Sequence, residues 1–170
     1  MWSRAGLVVL VVLALDQLTK KLVRDGVRVG DEDAVFPGVS IVHTKNRGVA
    51  FSALEDKTAI VVVVIALAML ALLVYVARNA GRPGIWVPAG LLTGGALGNI
   101  VDRVFEGEVT DFVKLPAWPA FNLADVAITF GVLALLYVMD RSSDADADGG
   151  PASAAKQANV GVPDAADGRT

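Results

Sequence analysis

The chain has no cysteine and a single histidine, His43, among its 170 residues. Without cysteine there is no disulfide framework, no thiolate metal site and no cysteine nucleophile. One histidine excludes the H-E-x-x-H zinc proteases and any site built from several imidazoles. Charge is also scarce: 19% of residues are charged against 54% hydrophobic. A soluble domain of this length cannot bury so much apolar surface, whereas a bilayer absorbs it. The net charge of −3 comes from residues 142–170, where five aspartates face Lys156 and Arg169. Residues 1–141 carry 13 bases and 13 acids. No basic surplus is left for nucleic acid, and that partner class is excluded.

Four apolar runs approach the roughly 17–25 residues that carry a helix across a bilayer. They cover 5–23, 59–76, 85–101 and 123–139, and the second holds no charge at all. The first lacks a small-x-small cleavage site before Asp16, so it reads as a span rather than a removable leader. The expected architecture is an all-α membrane protein of four transmembrane helices, occupying 1–141. A small β-rich cap lies between the first two helices, over about 24–57, because Gly30, Pro37 and Gly38 punctuate short alternating pieces such as Val39–His43. Residues 142–170, rich in Ala, Asp, Gly, Ser and Pro, read as a disordered acidic tail.

Alternating spans bring the ends of the first and third to one membrane face with the starts of the second and fourth. The informative polar residues sit there: Asp16 and Gln17, then Asn99, Asp102 and Arg103, then Asn122 and Asp125. Asn99, Asp102 and Arg103 fall at i, i+3 and i+4 of one helix face, and Asn122 and Asp125 at i and i+3. A carboxylate at mid-membrane costs about 2.5–3.5 kcal/mol on the insertion scale. Intramembrane ionisable groups are therefore functional candidates. Asp16 also has a structural reading, as the i, i+4 partner of Lys20. Gly90, Gly94 and Gly98 recur every four residues of the third span, a pattern for close helix packing rather than reaction.

No serine sits in a nucleophile context such as G-x-S-x-G. Carboxylates remain: Asp16, Asp102, Asp111 and Asp125. Two of them close together cannot both ionise cheaply, so one keeps a proton. The charged partner can activate water while the protonated one polarises a carbonyl. This chemistry needs no metal and no cofactor, and spacing alone leaves open which two acids pair.

Five blocks resemble one family. They are Asp16-Gln17-Leu18-Thr19-Lys20, Asn46-Arg47-Gly48-Val49-Ala50-Phe51-Ser52, Gly94 through Arg103 (GGALGNIVDR), Val109-Thr110-Asp111-Phe112 and Phe121-Asn122-Leu123-Ala124-Asp125. In this order they are similar to the bacterial lipoprotein signal peptidases (signal peptidase II). The resemblance implies that Asp111 and Asp125 are the catalytic aspartates. It implies that Asp16, Asn46, Gly48, Asn99, Arg103 and Asn122 order the site or bind substrate, with Asp102 behind them, paired with Arg103 or a neighbour. The implied activity removes signal peptides from diacylglyceryl-modified prolipoproteins, cutting before the lipidated cysteine, in the bacterial cytoplasmic membrane among its lipids. The implied topology has cytoplasmic termini and a site near the extracytoplasmic face. Charge counting opposes it: nine Lys and Arg flank the site face and four the other, the reverse of the positive-inside rule. The family orientation is taken, with several of the nine assigned to a folded cap. The competing reading is a small proton- or ion-coupled transporter that uses the same carboxylates as a relay, although no repeated halves are visible.

Overall fold

The computed structural model describes residues 1–46 and 58–148. Four helices dominate: α1 (Trp2–Gly26), α2 (Thr58–Arg78), α3 (Trp86–Phe105) and α4 (Leu123–Asp148). Three strands, β1 (Glu32–Phe36), β2 (Val39–Asn46) and β3 (Val109–Lys114), form one antiparallel sheet in the order β1-β2-β3. The expected β-rich cap between the first two helices is present. Its third strand comes from the α3–α4 connection, to which periodicity assigned no strand. α4 also runs to Asp148, seven residues into the segment that composition reads as tail. Ala and Asp alternate there without a Gly or Pro until Gly149, so nothing local stops the helix earlier.

α3 is the centre of the molecule, packing on α1, α2 and α4. Its glycines make that possible. A Cβ on Gly90 would stand 2.5 Å from Val8 Cβ, and one on Gly94 2.9 Å from Val12 Cβ, so the four-residue glycine pattern is the α1 contact. Gly95 serves the opposite face, where a Cβ would stand 2.6 Å from the Ala124 carbonyl oxygen of α4.

Burial is inverted relative to a water-soluble bundle. Asp16, Lys20, Asn99, Asp102 and Asn122 are buried, while Leu7, Leu10, Leu18 and Leu22 of α1 face outward, Leu10 at 65% exposure. α2 and α4 likewise present Leu67, Leu70, Leu133 and Leu136 outward. Such a surface is costly in water and costless in hydrocarbon. Among the described residues, Leu123–Arg141 is the one helical stretch long and apolar enough to span by length and composition alone, with a shorter apolar stretch at Leu67–Arg78. Charged residues in α1 and glycines in α3 dilute the apolar content of the other two.

Candidate active site

The polar residues of three helices and β3 converge at one end of the bundle. Lys20 is at the bottom of the cluster, with its side chain wholly buried. Its ammonium lies 2.9 Å from Asp16 Oδ2 and 3.1 Å from Asp102 Oδ2, and donates to Asn99 Oδ1 at 3.0 Å. Three donors thus meet three acceptors. Asp16 spends its other oxygen on the Ala124 backbone N–H at 2.9 Å, at the start of α4. A side chain on Gly98 would collide with that carboxylate. Gln17 ties the group together by donating to Asp102 Oδ1 at 2.9 Å and to the Gly98 carbonyl at 3.2 Å.

Asp102 belongs to this buried cluster. Of the two partners the sequence left open for it, the geometry selects a neighbour: its salt bridges run to Lys20 and, at 3.9 Å, to Arg24. It also accepts the Thr110 backbone N–H at 3.2 Å, and Arg24 donates to the Thr110 hydroxyl at 3.3 Å. Both contacts hold the residue that precedes Asp111 in β3. Arg103, next to Asp102, caps the Asn99 carbonyl at 3.1 Å.

Asp111 and Asp125 meet at one asparagine. Asn122 donates its side-chain N–H to Asp111 Oδ1 at 2.7 Å, and its backbone N–H to Asp125 Oδ2 at 3.3 Å. Asn122 Oδ1 in turn accepts the Asp125 backbone N–H at 3.0 Å. The last two bonds are the reciprocal pair of a capping box, which starts α4 and satisfies two donors that a helix start leaves orphaned. Asn99 donates to Asp125 Oδ1 at 2.9 Å, and its Oδ1 accepts from Asn122 at 3.1 Å. Asn46, at the end of β2, donates to Asp111 Oδ2 at 3.0 Å. Each of the two carboxyls therefore receives a donor on both oxygens.

Their surroundings differ. Asp111 is 3% exposed, whereas Asp125 is half-buried. Burial pushes the Asp111 carboxyl up from 3.8; hydrogen bonds from Asn46 and Asn122 pull it back, the Asp125 charge raises it further, and it settles at about 6.

Among the residues expected at a site, Asp16, Asn46, Asn99, Asp102, Arg103, Asp111, Asn122 and Asp125 are all in or against this cluster. Gly48 lies outside the described residues. The i, i+4 pairing of Lys20 with Asp16 expected from spacing is present, and Lys20 binds Asp102 and Asn99 as well. Sequence reasoning gave no site role to Arg24 or Thr110, whereas Gln17 was singled out with Asp16. Arg24 and Thr110 had no signal, because a tertiary contact alone joins them.

Comparison with known proteins points to one family. Residues 8–140 match the family described as signal peptidase (SPase) II. The lipoprotein signal peptidase of Halothermothrix orenii is 34% identical over 142 residues, covering 82% of this chain and 98% of that protein. That of Solibacter usitatus is 40% identical over 147 residues, covering 79% and 88%. A solved structure described as a bacterial membrane enzyme, obtained by the in meso method at 2.3 Å, superposes with a TM-score of 0.76 at 30% identity, over 82% of this chain and 88% of that one. The inverted burial and the buried acid cluster are thus features of a membrane-embedded hydrolase of aspartic type, and the chain belongs to the signal peptidase II family.

Proposed function

We propose that the protein is a membrane aspartyl endopeptidase that cuts prolipoproteins before their diacylglyceryl-modified cysteine, with Asp111 and Asp125 as the reacting pair. The observation that carries the reading is the shared Asn122, which binds both carboxyls at once. Four carboxyls (Asp16, Asp102, Asp111, Asp125) here face three cations (Lys20, Arg24, Arg103), so one proton held by the acids balances the cluster. In the reaction, one carboxylate takes a proton from water as the oxygen attacks the scissile carbonyl. The protonated partner gives its proton to the carbonyl oxygen. Collapse of the tetrahedral intermediate breaks the C–N bond: the departing amine takes a proton from the carboxyl that received one from water, and a hydroxyl of the intermediate returns its proton to the partner carboxylate as the new carbonyl forms. Asn46, Asn99 and Asn122 keep the two acids oriented without competing as bases.

The same reading gives the chain four spans, α1 to α4, with the sheet and the acids at the extracytoplasmic end and both termini in the cytoplasm. A lipid-anchored substrate meets the acids at that depth. The substrates are lipid-modified prolipoproteins held among membrane lipids, and no metal or cofactor takes part. A transporter reading is disfavoured, because the helices show no repeated halves and the relatives are peptidases.

The test is cleavage of a diacylated lipobox peptide by the purified protein, with and without globomycin, the cyclic peptide inhibitor associated with the family. Asp111→Asn and Asp125→Asn should each lower turnover about 10³-fold or more while the protein still accumulates in membranes. Turnover retained by either variant removes that residue from the pair.

A further inference from the structure

Between the two aspartates in sequence lies Leu115-Pro116-Ala117-Trp118-Pro119, a turn closed by the Trp118 N–H on the Leu115 carbonyl at 3.2 Å. Ala117 stands in the left-handed region, φ 56°, and is the one such non-glycine among the described residues. A side chain there is strained and persists only where its surroundings over-determine it. Those surroundings are Pro116 and Pro119 on either side, and Lys114, whose ammonium donates to the Trp118 carbonyl at 3.0 Å. The turn also abuts the β1–β2 hairpin: a Cβ on Gly38 would lie 3.7 Å from Pro116. Outward on these two turns stand Trp118, 62% exposed, and, on the hairpin, Phe36, 69% exposed, with Val35. Neither aromatic contributes to the core.

We propose that these neighbouring turns, with Phe36 and Trp118 at their tips, form an anchor that seats the sheet on the lipid surface at headgroup depth. Three features point to lipid as the occupant. Apolar residues exposed on the same end, Leu22 of α1 and Val104 and Phe105 of α3, continue the outward apolar surface of the helices toward the sheet. Trp118 has an indole that suits the boundary between hydrocarbon and water. Lys114 beside it presents a cation where phosphates lie. The anchor would fix the height of β3, and so of the site, relative to the bilayer. It rests on the membrane setting of the family and not on the roles of the two aspartates, so it can fail without touching them.

The experiment uses the full chain with Trp2→Phe and Trp86→Phe, which leaves Trp118 as the sole indole, reconstituted in phosphatidylcholine vesicles. Phosphatidylcholine brominated near the glycerol end of its acyl chains should quench Trp118 emission by about half or more, and aqueous iodide should quench it little. Iodide access without bromolipid quenching overturns the proposal. Shielding from both quenchers means cover by protein, a second copy included, and overturns it equally. In a separate measurement, Phe36→Ser/Trp118→Ser should lower cleavage of a vesicle-embedded precursor about fivefold or more, with cleavage in detergent micelles unchanged. An equal loss in both settings would make these residues substrate contacts and sink the anchor.

Discussion

At Asp111, burial and hydrogen bonding pull against each other. Its folded pKa, about 6, lies above the 3.8 of the free side chain. The folded protein therefore binds this proton more tightly than the unfolded chain does. The stability it contributes is full below about pH 4 and is lost as pH rises through about 6. A ¹³C-carboxyl titration, assigned with Asp111→Asn, should show the midpoint near 6. Asn46→Ala should move that midpoint upward, because Asn46 donates to the ionised form and favours it. A midpoint that stays put or falls would show that the Asn46 bond does not act on the charge. At this scale the sequence was informative where spacing or block identity isolated a residue. Asn122 and Asp125 share a helix face, and Asn-x-x-Asp ahead of an apolar run also carries the pattern of a capping box. The contact between Arg24 and Thr110 had no such trace, since 86 residues separate them.

Among the elements, α3 depends most on residues that lack side chains. Gly95→Val would drive a branched side chain into the Ala124 carbonyl and Ile128 of α4. Overpacking of this kind costs about 1–3 kcal/mol, and here it also displaces the helix start that presents Asp125. Thermal unfolding in micelles should fall by several degrees with a parallel loss of cleavage. Unchanged stability would mean α4 yields more readily than its contacts imply. Lys20→Met should be harsher, about 3–5 kcal/mol, because it strands Asp16 and Asp102 without their cation. Recovery of much of that loss in Lys20→Met/Asp16→Asn would confirm stranded charge as the cause, whereas equal instability in the two variants would assign the cost to lost packing. The existence and order of the helices were legible from apolar runs, and the glycine period announced the α1–α3 contact. β3 was not legible as a strand: Val109–Lys114 is only six residues long and pairs with β2, far earlier in the chain.

For the whole molecule, every residue of the described acid cluster precedes the end of α4 at Asp148, although α4 itself outruns the composition boundary. Removing residues 149–170 should leave cleavage within about twofold of the full chain, and an inactive truncation would give that segment a role. A reporter fused after Asp148 should read as cytoplasmic; an extracytoplasmic signal would invert the proposed topology. Charge counting argued for the inverted arrangement because it treats every cation as a free flanking residue. Lys20 is buried between two acids, and Lys45 is paired with Glu108 across the sheet, so neither is free to steer insertion. Under the proposed topology, folded partners neutralise part of the charge that the count assigns to the site face.

The sheet joins two connections that are made at different times. β1 and β2 are made early, but their partner β3 and the capping residues Asn122 and Asp125 are made only after α3. During translation the nascent chain thus holds two of the three strands before Asp111 and Asp125 are both present. On the proposed mechanism, cleavage must wait until the start of α4 has been made, because Asn122 and Asp125 complete the pair there.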